Sequence, residues 1–193
     1  MQQGEIIILA LVGLVLLAAI LIWLAVRNRN TTKLRDKFGD EYDRTVEEKG
    51  RRSAAEAALE EREKRVAELD IRPLTPQQRD AAITEWREVK AVFVDSPVEA
   101  VHHADRLLAS IMKARGYPMA DFDRRYEDLT VDHGDVARHY RAGHEIADRQ
   151  ALGKATTEDL RQAMKHYGAL FEDLVHDESG TTRHATDREA PRT

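Results

Sequence analysis

The chain contains no cysteine among its 193 residues. This absence excludes disulfides, CxxC redox motifs, thiolate zinc sites and covalent haem attachment, and it is compatible with the cytoplasm. The sequence also lacks the glycine-rich loops GxGxxG and GxxxxGK[ST], the nucleophile motif GxSxG and the zinc motif HExxH. We therefore predict that the protein is not an enzyme and that it has no cofactor and no metal.

Long apolar runs are missing from the chain with one exception, residues 6–26 (IIILALVGLVLLAAILIWLAV). At 1.5 Å per residue this run forms a helix about 31 Å long, close to the thickness of the hydrocarbon core of a bilayer. A signal peptide would need a basic start and a cleavage site, and a buried core helix would show a polar edge. The sequence has none of these features. We predict a transmembrane helix over 6–26, preceded by a short extracytoplasmic segment, 1–5.

Basic residues are absent before the apolar run and concentrated after it, in residues 27–39. By the positive-inside rule, this basic juxtamembrane linker predicts a single-pass protein of the cell membrane whose C-terminal domain is cytoplasmic. A tryptophan near the end of the run suits the boundary between lipid and water. The predicted contacts with the lipid bilayer are Trp23, Arg27, Arg29, Lys33, Arg35 and Lys37.

Positive charge is in deficit over the rest of the chain. The whole sequence has 30 basic and 35 acidic residues, and without Glu5, Asp36 and the five linker bases, 25 basic and 33 acidic residues remain. Non-specific binding to nucleic acid requires a basic face that displaces counterions. We therefore predict that nucleic acid is not a partner.

No segment alternates apolar and polar residues as a strand does, so the predicted fold class is all-α. Residues 40–70 predict a charged helical connector, made of a short helix over 41–48 and a second helix over 54–69. The first has Asp40 as its N-cap and Gly50 at its end, and Ser53 with Glu56 predicts a capping box for the second.

The second connector helix carries an apolar stripe with 4-3 spacing, which leaves two interpretations open. The stripe consists of Ala55, Leu59, Val66 and Leu69, with Arg62 at the position where the spacing expects an apolar residue. It predicts either a short coiled coil, which would allow self-association through residues 54–69, or a helix that rests on the domain.

Residues 71–176 predict a compact bundle of about five helices, separated by cap and stop signals. Thr75 and Ser96 precede prolines at helix starts, and Gly116 before Pro118 ends a helix. Further starts are predicted at Asp121, Asp132 and Thr156. The predicted core residues include Ile83, Trp86, Val89, Phe93, Val101, Ala104, Leu108, Ile111, Met112, Phe122, Tyr126, Leu129, Val136, Tyr140, Gly143, Ala147, Leu160, Ala163, Tyr167, Leu170, Phe171 and Leu174. Residues 177–193 predict a disordered tail.

Several short segments between residues 33 and 175 resemble a bacterial family of uncharacterised all-helical, single-pass proteins, often labelled membrane or secreted. The matching segments are Lys33–Arg44, Arg72-Pro73-Leu74, Phe93-Val94-Asp95-x-Pro97, Ala104-Asp105-x-Leu107, Arg115–Pro118, Val131-Asp132-His133, Tyr140-Arg141-x-x-His144 and Thr157–Arg161. In similar proteins a proline tends to follow Asp-His, where this chain has Gly134. The resemblance supports the helical architecture and implies no activity and no catalytic residue.

Eight histidines raise the question of a metal site. Glu99 with His103, Asp135 with His139 and Tyr140 with His144 are neighbours one turn apart, a spacing more typical of surface hydrogen bonds than of ligand sets. His139 and His144 lie about 140° apart around a helix and so cannot bind one ion together. Residue types suited to acid–base catalysis cluster between residues 132 and 145, but no nucleophile accompanies them. They are Asp132, His133, Asp135, His139, Arg141, His144 and Glu145.

These features favour a membrane-anchored interaction or scaffold module with a protein partner at the cytoplasmic membrane face. The alternative is a tethered helical module that binds a small ligand or signal and responds to pH through its histidines.

Overall fold

The computed structural model describes residues 2–118 and 121–177, and it describes side chains in this range from residue 13 onward and at Leu11. Apart from Asp177, the predicted disordered tail lies outside the described residues. Eight helices and no strand are present in the described part of the chain, which confirms the all-α class. They are α1 (Gln2–Phe38), α2 (Asp40–Lys49), α3 (Arg52–Ala67), α4 (Pro76–Asp95), α5 (Pro97–Arg115), α6 (Phe122–Asp132), α7 (Gly134–Ala151) and α8 (Thr157–His176).

The chain divides into two compact units. The N-terminal unit comprises residues 1–60 and the C-terminal unit residues 61–193, so the boundary between them lies within α3. Residues 71–176, the predicted bundle, include five helices, α4–α8.

Helix α1 contains the predicted transmembrane run and continues without a break through the basic linker. Its segment Gly13–Phe38 is long and apolar enough to cross a membrane, judged by length and composition. The large apolar side chains described between Leu11 and Val26 are exposed. The helix ends at Phe38 because Gly39 adopts a positive φ of 53°, a conformation that glycine tolerates best.

The N-terminal unit has a small apolar core at the end of α1. Leu34 and Phe38 of α1 are buried, as are Tyr42 of α2 and Ala55 and Leu59 of α3. Side-chain hydrogen bonds to one carboxylate join the three helices, since Glu56 accepts from Thr31 at 2.6 Å and from Tyr42 at 2.9 Å. The C-terminal end of α1 is therefore packed against α2 and α3 within the N-terminal unit.

The 4-3 stripe of α3 is covered by its own chain. Ala55, Leu59 and Val66 are buried, Leu69 is half-buried, and Arg62 is only 2% exposed. Of the two interpretations of the stripe, the structure favours the helix that packs on the rest of the chain.

Two predicted caps of the connector helices are wrong. Gly39, not Asp40, is the N-cap of α2, and it makes no side-chain cap hydrogen bond. Helix α3 begins at Arg52, so Ser53 lies inside it, and Glu56 serves the bonds to Thr31 and Tyr42 instead of a capping box. The left-handed terminator Gly50, with a φ of 67°, is confirmed.

Caps in the C-terminal unit are mostly as predicted. Thr75 and Thr156 form capping boxes, and Asp121 accepts a hydrogen bond from the backbone of Arg124. Ser96 is the N-cap of α5 and precedes its proline as predicted, although its side chain makes no cap hydrogen bond. One prediction is wrong, since Asp132 is the last residue of α6 and not the cap of α7.

Within the C-terminal unit α5 packs against α4 and α8, and α7 packs against α8 and α6. The ring of Trp86 stacks on Phe171, with centroids 4.8 Å apart. Most predicted core residues are buried, and five lie half-buried at the edge of the core: Ile83, Phe93, Phe122, Val136 and Ala147. Apolar periodicity identifies the inward face of a helix, but the depth of each position depends on which neighbours cover it.

Candidate functional site

The six predicted membrane-interface residues all lie exposed on α1. The guanidinium carbon of Arg27 is 5.2 Å from the ring centroid of Trp23, within cation–π distance. Arg35 forms a salt bridge with Asp43 at 3.0 Å. The linker bases thus remain on the surface, and one of them is neutralised by α2.

The acid–base cluster predicted on α7 is not assembled. His133 lies against Asp173 of α8, and its Nε2 is 3.5 Å from Asp177. Arg141 stacks over the ring of Tyr126 at 4.8 Å, and His144 stacks on Phe122 with centroids 3.6 Å apart. His133 thus contacts α8, whereas Arg141 and His144 stack on rings of α6, so these groups do not converge on one reacting centre.

Two histidines of the i, i+4 pairs, whose spacing is more typical of surface hydrogen bonds than of ligand sets, meet partners on other helices. His103 pairs with Glu85 of α4 at 3.0 Å, and not with Glu99. The Nδ1 atom of His139 faces Nδ1 of His166 on α8 at 3.0 Å. Burial and the neighbouring His139 hold the pKa of His166 below its usual range. Among the residues that the structure describes, no group of three or more His, Asp or Glu could hold a metal ion.

A buried arginine closes the C-terminal end of α8. Arg115 is fully buried and donates to the backbone oxygen of Leu174 at 2.9 Å and to the carboxylate of Asp177 at 2.5 Å. Since the last carbonyls of a helix have no partner within it, a cation here satisfies one and offsets the negative end of the helix dipole. Together with His133 and Asp173, these residues form a polar cluster at the C-terminal end of α8.

A second charged cluster fastens the end of α3 to α6. Arg62 contacts Glu127 at 3.3 Å, and Arg65 contacts Glu127 at 2.9 Å and the fully buried Asp128 at 2.8 Å. In the sequence, Arg62 is recognisable only as a charged residue that interrupts the apolar stripe. The partners lie more than 60 residues away, so no local pattern could have identified them.

Four helices of the C-terminal unit each contribute one polar side chain to a core cluster: Asp105 of α5, Arg125 of α6, Tyr140 of α7 and Tyr167 of α8. Burial and the Asp105 carboxylate raise the pKa of both tyrosines well above their usual range. Asp105 also interacts with the Tyr167 hydroxyl, at a geometry outside that of a well-formed hydrogen bond. Helical periodicity predicts both tyrosines as core residues, but no local pattern in the sequence indicates this cluster.

Comparison with known proteins gives no match, since no protein-family model, no curated protein and no solved structure is significantly similar to this chain.

Proposed function

We propose that this chain is a single-pass membrane protein that acts as a non-enzymatic interaction or scaffold module at the cytoplasmic membrane face. The observation that carries the proposal is the continuity of α1, which runs from the apolar segment to the buried residues Leu34 and Phe38. The anchor is thus joined rigidly to the N-terminal unit. Tethering raises the local concentration of a domain near membrane partners, which is a function that needs no catalysis.

The cytoplasmic orientation rests on the basic residues that follow the apolar segment. Arg27, Arg29 and Lys33 are exposed on α1, so their charges are available to the headgroup region and would resist translocation. The resemblance to a bacterial family of single-pass, all-helical proteins supports the architecture and adds nothing on the orientation.

Reporter fusions at the C-terminus test the orientation. We expect a fluorescent protein that folds only in the cytoplasm to be active and a phosphatase that folds only outside to be inactive. A matched variant that replaces Arg27, Arg29 and Lys33 with glutamine should reduce this bias. An active phosphatase on the unaltered chain would overturn the proposed location and its partners.

Mass measurement of the detergent-solubilised protein tests the interaction function. We expect capture of the full-length chain from membranes to yield a defined complex with another protein. Variants at the exposed side chains Val94 (81% exposed) and Leu152 (69% exposed) would show whether either position contributes to the contact. Self-association through 54–69 would instead give a homo-oligomer. A monomer with no bound protein would contradict the proposal.

Binding of a small polar ligand is the second candidate function, and the cluster of Asp105, Arg125, Tyr140 and Tyr167 favours it. Buried polar atoms of Asp105, Arg125 and both tyrosines have no well-formed hydrogen bond to protein groups, and such atoms are costly unless something satisfies them. A ligand at 100 times its Kd would stabilise the protein by about 2.7 kcal/mol. A thermal-shift screen with the unaltered chain and with Tyr140→Phe therefore distinguishes this candidate, which a screen without hits would oppose.

A further inference from the structure

His139 and His166 meet across the α7–α8 contact, with a proton or a metal ion required between their facing ring nitrogens. Their Nδ1 atoms are 3.0 Å apart and their ring centroids 5.2 Å apart, so the two nitrogens lie between the rings. Two bare lone pairs would repel each other at this distance. A proton fills the gap when one Nδ1 donates and the other accepts.

We propose that this pair also binds one divalent transition-metal ion, such as Zn²⁺, Ni²⁺ or Cu²⁺, through the two Nδ1 atoms. Imidazole nitrogen is a favoured ligand of these ions. With metal–nitrogen bonds of about 2.0–2.1 Å, two nitrogens at this separation subtend about 95° at the ion, the angle between adjacent ligands in square-planar or octahedral sites. In the structure the two Nδ1 atoms point almost directly at each other, so each ring would turn to aim its lone pair at the ion.

The protons balance without a further reactant. The histidine that donates from Nδ1 moves its proton to Nε2, so that both Nδ1 lone pairs face the ion and each ring stays neutral. Metal ligands must be deprotonated, and His166 meets this condition near neutral pH because burial and His139 lower its pKa.

Solvent would complete the coordination. Both histidines are half-buried, and no third His, Asp or Glu of the described residues forms a ligand group with them. The ion would thus be held by two protein ligands, one on α7 and one on α8, and would exchange with ions in solution. It differs from the ligand sets considered along single helices, because His139 and His166 are 27 positions apart.

Calorimetric titration of the full-length chain in detergent tests the site, with a purification tag that contains no histidine. We expect one Zn²⁺ or Ni²⁺ ion to bind per chain at pH 7.5, and binding to weaken at pH 5.5 because protons compete for both nitrogens. His139→Ala and His166→Ala should each abolish this binding. His102→Ala, at an exposed position of α5, is the matched control and should retain it.

Thermal unfolding of the same proteins provides a second measurement. The metal should raise the melting temperature of the unaltered chain and of the His102 variant, but not of the His139 or His166 variants. His139→Gln and His166→Gln keep a polar side chain at each position and should also lose the metal effect. Circular dichroism would show whether each variant is folded. Absence of binding to the unaltered chain, or binding that survives both substitutions, would overturn the proposal.

Discussion

The ring of Tyr167 lies directly against the backbone of α7 at Gly143, and this contact is decided by a single missing methyl group. A Cβ atom at Gly143 would lie 2.4 Å from Cε1 of Tyr167. At Gly116 a Cβ would lie 2.3 Å from the backbone oxygen of Asp70, and the φ of 103° there is also strained for other residues. At these two positions the close approach of a neighbouring group leaves no space for a side chain, so only glycine fits without strain.

Gly143→Ala should destabilise the protein because the fully buried Tyr167 has no room to move. Overpacking of this kind costs about 1–3 kcal/mol, more than alanine gains over glycine in a helix. Gly168→Ala is the control, since its Cβ would only touch Trp86 at 3.4 Å. Urea unfolding monitored by circular dichroism would measure both, and an equal stability of the two variants would contradict the packing argument.

Protonation of His166 should destabilise the fold at mildly acidic pH. Its pKa is below the usual 6.5 in the folded state, so the unfolded chain binds the proton more readily. The free energy of unfolding should therefore fall as pH drops below about 6.5, and it should level off below the lowered pKa. Urea unfolding between pH 7.5 and 5.5 would measure this slope for the unaltered chain.

His166→Gln should flatten that pH dependence, because glutamine does not titrate in this range. His102→Gln, at an exposed position on α5, should leave the slope unchanged. If the His166 variant kept the full slope, other titrating groups would be responsible for it.

At the scale of helices, the polar clusters determine which elements are held together. Arg62 and Arg65 attach α3 to Glu127 and Asp128 of α6, and Arg115 attaches α5 to the end of α8. Such buried ion pairs add little net stability when intact, because desolvation offsets the attraction, but they penalise any arrangement that separates the partners. They therefore specify packing more than they strengthen it.

Arg65→Met should be strongly destabilising because it leaves the carboxylate of Asp128, which is fully buried, without its partner. Removal of one member of a buried pair costs about 3–5 kcal/mol. The matched control is Arg161→Met, which breaks an exposed pair with Glu158 and should leave stability unchanged. Thermal and urea unfolding would compare them, and similar small effects would show that the α3–α6 cluster is not specific.

At the scale of the whole molecule, the chain combines an exposed apolar helix with two separately compact units. The C-terminal unit contains its own aromatic core, including Trp86 stacked on Phe171. The N-terminal unit instead buries Leu34 and Phe38, which belong to the same helix as the apolar segment. The apolar segment thus belongs to the N-terminal unit, and the bundle has buried core residues of its own.

A fragment of residues 61–193 should fold without residues 1–60. We expect a helical far-ultraviolet spectrum, a single cooperative thermal transition and recovery without detergent, because the buried residues of α4–α8 supply its core. The same fragment with Leu108→Ala should melt at a lower temperature. Truncation of this fully buried side chain leaves a cavity and lowers the free energy of unfolding by about 2–5 kcal/mol. A spectrum without a cooperative transition would mean that the bundle requires residues 1–60.

The sequence by itself determined the helical class, the apolar segment and most helix boundaries, because periodicity, capping boxes and left-handed glycines act within a few residues of the chain. The boxes at Thr75 and Thr156 and the terminators Gly50 and Gly116 are examples. The failed caps at Asp40, Ser53 and Asp132 are cases in which the same residue types lie inside a helix.

Only the tertiary structure decided which polar residues meet. The pair His139–His166 and the contacts of Arg65 and Arg115 join positions 27 to 63 residues apart. Local spacing cannot encode such contacts, since they depend on how α3, α5, α7 and α8 are packed. The apolar stripe of α3 is the clearest case, because its spacing suited both a coiled coil and a packed helix, and burial by the chain itself favours the second.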